Sequence, residues 1–176
     1  MMPDIPRIET ERLILRGPRE EDMDAVAAFA TSEERTRYIG GPTDRFGAWQ
    51  SLLAMMGHWA LRGYGQWIIE DKDSGEAVGR TGVIRHDGWA EPELGWVMFP
   101  GFEGKGLAQE AATAARAYAA REWGFDRLIT QIHPENGRSI ALALRLGATE
   151  EGEGELLGEP CVLYRHPDPG EADDAA

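Results

Sequence analysis

The sequence predicts a mixed α/β domain in which one largely antiparallel central sheet is flanked by helices on both faces. Three observations lead there. Strand-like runs follow one another across short turns between residues 66 and 99, the stretches near 20–30 and 44–62 read as helices with an apolar side, and a strand passes through a glycine-rich turn directly into an alanine-rich helix near 105–123. At 176 residues, 42% hydrophobic and 28% charged, the chain suits a single domain that buries a core.

In order, Arg12 to Arg16 reads as a strand and Glu20 to Ala30 as a helix with Met23, Val26, Ala27 and Ala30 on one side. A second helix, about Asp44 to Arg62, is assigned Trp49, Leu52, Leu53, Met56 and Trp59 as its buried face, and Gly63 and Gly65 stop it. Gln66 to Asp71 and Ala77 to Arg85 form a hairpin across Asp73-Ser74-Gly75, and a third antiparallel strand runs from Glu93 to Phe99. A glycine turn leads into a helix from about Lys105 to Trp123, ended by Gly124. Leu128 to His133 is a strand, Asn136 to Leu146 a short helix, and Thr149 to Leu156 with Cys161 to Arg165 a closing pair of strands. Residues 1–165 are expected to form one domain, and 166–176 an acidic, disordered tail.

Composition removes several functions. A net charge of −13 argues against nucleic acid, whose binding draws most of its affinity from Lys and Arg neutralising phosphates. The tail contributes Asp168, Glu171, Asp173 and Asp174 without Lys or Arg, and the remaining body is still acidic. Such a field favours encounter with cationic acceptors such as amines, and equally confers solubility. Cys161 is the single cysteine, so an intramolecular disulfide is impossible. Charges between Met1 and Glu11 replace the apolar region of a signal peptide, and no apolar run approaches the roughly 18 residues of a membrane span. The expected location is the cytoplasm, with no membrane partner.

The turn in Glu93 to Ala108 carries the chemistry. Gly101, Gly104 and Gly106 can take positive φ, and the first N–H groups of the following helix, unpaired within it, point outward at the positive end of its dipole. A pyrophosphate fits there. A nucleotide triphosphatase loop needs Gly-Lys-Ser/Thr for magnesium, but Leu107 follows Gly106. A dinucleotide fingerprint needs Gly or Ala where Gln109 stands, and lacks its acidic ribose partner. What remains is a pyrophosphate held by backbone amides, or a loop whose glycines only turn the chain.

The residues resemble the GNAT superfamily of N-acetyltransferases, in the branch that acetylates ribosomal-protein amino termini. Glu9-Thr10-Glu11-Arg12-Leu13-Ile14-Leu15-Arg16 is similar to that branch's opening strand, and Glu93-Leu94-Gly95-Trp96 to its fourth strand. Gly104-Lys105-Gly106-Leu107-Ala108 is similar to its acetyl-CoA loop, and Asn136-Gly137-Arg138-Ser139 with Leu146-Gly147-Ala148 to its second cofactor motif. The resemblance covers nearly the whole chain to about Arg165 and implies a GNAT-like fold. It also implies acetyl transfer from acetyl-CoA, without a metal, to a primary amine that is a protein N-terminus or a small molecule.

The same resemblance implies the site. The amides of Gly104, Lys105, Gly106, Leu107 and Ala108 are expected to hold the diphosphate, each charge-assisted bond contributing about 1.5–3 kcal/mol. Glu103 stands where the family pattern begins with Gln or Arg, and must point away from phosphate. Lys105 is a candidate point charge or a solvated side chain; Arg138 and Arg145 are weaker phosphate candidates. Asn136 is a candidate hydrogen-bonding partner of the pantetheine arm, or only a helix cap. Many superfamily members have a Tyr seven residues after that Asn, but here the position is Ala143. Ser139, on the first turn after Asn136, resembles the hydroxyl that the ribosomal branch has at this place, which makes it the candidate donor to the CoA sulfur, against the alternative of a capping serine. Glu93 is the candidate base with His133 as rival, Glu91 and His86 being weaker. An N–H at Val97 or Met98 is expected to meet the oxyanion, and Pro100-Gly101 to let this strand splay from Leu128–His133. Acceptor specificity is placed at Thr31 to Trp49 and Leu157 to Pro160, with Tyr38, Trp49 and Trp89 as candidate linings. The reading is direct attack in a ternary complex by a monomer or homodimer. The alternative is a non-catalytic acetyl-CoA-binding sensor or partner protein.

Overall fold

The computed structural model describes residues 3–170. Its strands are β1 (Ile8–Glu9), β2 (Leu13–Arg16), β3 (Gln66–Asp71), β4 (Ala77–Ile84), β5 (Glu93–Met98), β6 (Ile129–Ile132), β7 (Thr149–Leu156) and β8 (Glu159–Arg165). They form one eight-stranded sheet in the order β1-β2-β3-β4-β5-β6-β8-β7. Every pairing is antiparallel except β5 with β6, which is parallel and registered at Glu93 with Ile129. The mixed, mostly antiparallel sheet read from the sequence is the observed one.

The helices are α1 (Met23–Ala30), α2 (Glu33–Thr36), α3 (Arg45–Arg62), α4 (Leu107–Trp123) and α5 (Gly137–Arg145). On one face, Val26, Ala27 and Phe29 of α1 and Ala48, Leu52 and Met55 of α3 pack with Ile68 and Phe99. On the other, Ala111, Ala112, Ala115 and Ala119 of α4 are fully buried against Leu13, Leu15, Trp67 and Ile69. Alanine at those positions lets the α4 backbone lie close to the sheet, where larger side chains would overpack it. Leu142 and Leu146 at the α5 end join that same core.

Most element ends shift by one or two residues from the sequence reading, and larger differences occur at four places. Residues 20–22 form a 3-10 turn before α1 rather than its first turn, β1 and α2 appear where no element was read, and β8 begins at Glu159. The buried stripe of α3 is Ala48, Leu52, Met55 and Trp59, while Leu53 is 50% exposed. Leu53 lies one residue off that 3.6-residue stripe, and its apolarity alone misled the assignment. His166, assigned to the acidic tail, is fully buried: Thr130 Oγ1 lies 2.6 Å from its Nε2, and Arg116 Nη1 3.4 Å from its Nδ1. Residues 171–176 of that tail lie outside the described residues.

The feature that positions the site is the parting of β5 from β6. After the single registered pair, the strands separate at Leu94, ahead of Pro100-Gly101, so those two residues are not what opens them. The Gln131 N–H, which a continuing ladder would give to a β5 carbonyl, instead donates to Glu93 Oε2 at 3.1 Å. Thr130 Oγ1 donates to the Leu94 carbonyl at 2.8 Å. Side chains thus satisfy the backbone where the ladder stops.

Candidate active site

The glycine turn adopts the conformation its residues allow: φ is +90° at Gly101, +72° at Gly104 and +76° at Gly106. Gly106 is the N-cap of α4, and its carbonyl accepts the Glu110 N–H at 3.2 Å. Among the described residues, the N–H groups from Glu103 to Gln109 donate to no carbonyl or side chain. These unpaired donors at a helix N-terminus fit a diphosphate. Glu103 lines the cleft together with Arg35, and its charge is compensated there: its carboxylate ion-pairs with Arg35 and accepts the Gly101 N–H at 3.2 Å. The Lys105 ammonium lies over the Phe102 ring, 5.3 Å from its centroid, and does not line the cleft. Arg138 and Arg145 do line it.

The loop is braced from the first hairpin, through residues the sequence reading took only as a family signature. Glu110, on the first turn of α4, accepts from Thr10 Oγ1 at 2.6 Å, from the Arg12 N–H at 2.8 Å and from Arg12 Nε at 2.7 Å. Arg12 Nη1 then donates to the Lys105 carbonyl at 2.9 Å, fixing the peptide that aims the Gly106 N–H. Arg12→Ala should raise KM for acetyl-CoA about tenfold, the loss of about 1.4 kcal/mol expected for one such bond, with a smaller change in kcat. Steady-state kinetics with acetyl-CoA as the varied substrate measures it, and an unchanged KM would remove Arg12 from this role.

A cleft of about 910 Å³ runs from this loop between the parted strands, lined by Trp96, Val97, Met98, Leu107, Ala108, Asn136 and Ser139. Register decides which β5 amides face it. Phe99 donates its N–H to the Val78 carbonyl in β4, and Arg80 pairs with Val97, so alternation turns the Val97 N–H to β4 and the Met98 N–H into the slot. Of the two expected oxyanion donors, Met98 faces the cleft with its amide and Val97 with its side chain. Asn136 is the N-cap of α5, its Oδ1 accepting the Ser139 N–H at 3.3 Å. The Ser139 hydroxyl caps nothing and, among the described residues, makes no hydrogen bond. Ala143 is fully buried and presents no hydroxyl.

A second cavity, about 280 Å³, opens on the far side of the same wall. Glu93, 6% exposed, lines it. Its Oε2 accepts Gln131 Nε2 at 2.8 Å in addition to the Gln131 N–H, while Oε1 accepts no hydrogen bond among the described residues. Burial raises the carboxyl pKa to about 7, against the opposing Gln131 bonds. Cys161 Sγ lies 3.8 Å from Gln131 Oε1 and orients that amide. His133 lines the cavity too, stacked on Tyr38 at 4.9 Å, but its Nδ1 accepts the Glu135 N–H at 3.2 Å. That bond occupies the Nδ1 lone pair. Glu91 is held by Arg165 at 2.6 Å, and the pKa of His86 is lowered by burial and by neighbouring His58 and Arg62.

Tyr38, Trp89 and Leu157 line the second cavity, whereas Trp49 packs in the α1–α3 core. Leu157 holds φ +54°, and its side chain reaches over Gly40. Sequence reasoning missed Gln131 and Arg80, both of which line this cavity. Their only signal was a polar residue inside an otherwise apolar strand, Ile-Thr-Gln-Ile and Val-Gly-Arg-Thr-Gly-Val.

The acetyltransferase (GNAT) domain family matches residues 12–149. The chain is 28% identical over 156 residues to the uncharacterized N-acetyltransferase YoaA of Bacillus subtilis, covering 84% of this chain and 85% of that protein. It is also 28% identical over 158 residues to the [ribosomal protein uS5]-alanine N-acetyltransferase of Escherichia coli, covering 83% and 79%. The crystal structure of an acetyltransferase from Agrobacterium tumefaciens superposes with a TM-score of 0.84 at 33% identity, over 93% of this chain and 95% of that one.

Proposed function

This chain belongs to the GNAT acetyltransferase family and is an N-acetyltransferase, and from that premise we propose that it acetylates a primary amine by direct attack in a ternary complex. The observation that carries this reading is the shared wall of the two cavities. Tyr38, Trp96, Val97, Asn136 and Ser139 line both, so a donor entering from the glycine loop and an acceptor entering from the Glu93 side meet there.

Bound in the larger cleft, acetyl-CoA supplies an activated acetyl thioester. The amides from Gly104 to Ala108 hold its diphosphate, and Asn136 faces the pantetheine arm. Glu93 takes the proton of the incoming amine, directly or through a water; a base titrating near neutrality is half-ionised at working pH and still basic enough to accept. The Met98 N–H donates to the acetyl oxygen as charge develops on it, a fixed donor that needs no reorganisation. The Ser139 hydroxyl donates to the departing sulfur.

Thiol release from acetyl-CoA across a panel of amines and peptides tests the proposal. Tight CoA binding with turnover of no amine would support a sensor or partner protein instead. Ser139→Ala should lower kcat about tenfold or more, with Kd for CoA within about twofold of the original, because its hydroxyl acts on the leaving group rather than on binding. Equal losses in kcat and affinity would make Ser139 a binding residue only.

A further inference from the structure

From the Arg80 guanidinium, we infer that the acceptor is a small, amino-acid-sized primary amine carrying a carboxylate, with Arg80 receiving the carboxylate while Glu93 receives the amine. This deepens the acyltransferase reading and rests on it.

Arg80 lies on β4 and pairs with Val97, on the same sheet face as Glu93, and both side chains line the second cavity. Among the described residues it forms no ion pair. Its Nη1 has only neutral neighbours, Ser51 Oγ at 3.2 Å and Met55 Sδ at 3.7 Å, and its guanidinium lies 5.8 Å from the Phe29 ring centroid. Nε is buried and, among the described residues, has no hydrogen-bond partner. Burial lowers its pKa to about 10, which still leaves it charged at neutral pH.

Arg80 is half-buried with its Nε closed off from solvent; a partly desolvated charge without a counterion is costly, and stability alone would favour a hydrophobic residue of similar length. Arginine's planar fork is the side chain suited to bidentate capture of a carboxylate. Glu93 is the only Asp or Glu, and Arg80 the only Lys or Arg, among the residues lining this cavity, with His58, His86 and His133 beside them. Arg80 and Glu93 stand at opposite ends of the paired segment, four residues or roughly 13 Å apart along β5. A zwitterion complements both charges, whereas a polyamine would leave Arg80 unpaired and place a second cation beside it. The cavity's volume of about 280 Å³ admits one amino-acid-sized group. The acidic exterior speeds encounter with cations, but the desolvated interior decides what is held.

The test compares free amino acids with their carboxamides, and includes polyamines, in the thiol-release assay. The expected result is at least about a 50-fold higher kcat/KM for the acid of a matched pair, lost in Arg80→Met through KM, with the amide unaffected. Arg80→Met should fold and melt higher, since it removes the uncompensated charge. Independently of turnover, N-acetyl amino acids should quench the fluorescence of Trp89 and Trp96 in the wild type, their carboxamides should not, and Arg80→Met should abolish the difference. Equal rates for acid and amide, preference for polyamines, or equal or absent quenching by the two product forms would overturn the inference. Equal turnover of acids and amides would leave the acyltransferase reading intact. Failure to bind acetyl-CoA would sink that reading, while the quenching result would still decide whether the cavity takes a carboxylate.

Discussion

Glu93→Gln is expected to cut kcat/KM for acetyl transfer by about 10²–10⁴-fold, the usual contribution of a positioned general base, while making the protein more stable in alkaline solution. Both effects have one cause. Desolvation holds the native carboxyl at about 7, above its ordinary value of 4.5. Between those values the native state binds more protons than the unfolded chain, so stability falls as pH rises through that window and stays lower above it. The span corresponds to about 3 kcal/mol at 1.36 kcal/mol per pKa unit. Glutamine keeps an oxygen for the Gln131 donors and carries no charge to desolvate. The variant's advantage in melting temperature should therefore be small near pH 4, grow to about pH 7 and then level off. Wild-type kcat/KM should rise through the same region, and the variant should lose that limb. A variant that keeps it would move the base elsewhere.

The second large effect belongs to the glycine loop. Gly106→Val should weaken CoA binding by about 100-fold or more in calorimetry. At φ +76° a β-branched residue costs about 1–2 kcal/mol, and the added Cβ would sit 3.5 Å from Arg12 Nη2, whose neighbour Nη1 holds the Lys105 carbonyl. That approach is ordinary van der Waals contact, so it is the backbone strain that turns the amides away from the diphosphate, and two lost charge-assisted bonds account for about 3 kcal/mol or more. Gly63→Val supplies the control. Gly63 has φ +75° at the end of α3 with open space around its Cβ position, so it carries like strain far from the loop and should leave CoA affinity unchanged. If both variants lose affinity alike, the effect is general destabilisation, and the loop's role fails.

The sequence made the strands, the glycine loop and the asparagine–serine turn legible because each is written locally. Alternating apolar residues, a helix-stopping glycine and a strand-turn-helix junction depend on neighbours within a few positions. Glu103 shows the limit of such reading. Its charge implied that it face away from phosphate, whereas the structure leaves it at the cleft and neutralises it with Arg35 of α2, a helix the sequence pattern did not reveal. Leu53 failed for the complementary reason, since an apolar residue one step off a helical stripe looks the same in sequence as one on it.

The amino-acid order was enough for the fold class, the family and the glycine turn that enters a helix, where we propose the diphosphate is held. Strand register and distant partners decided the electrostatics: that Glu93 is buried against Gln131, 38 positions away, that the Met98 and not the Val97 amide faces the slot, and that Arg80 is half-buried without a counterion among the described residues. The reason is physical. Backbone conformation follows from short-range sterics and periodicity, whereas desolvation and hydrogen-bond direction depend on strand register and on which distant side chains close over a site.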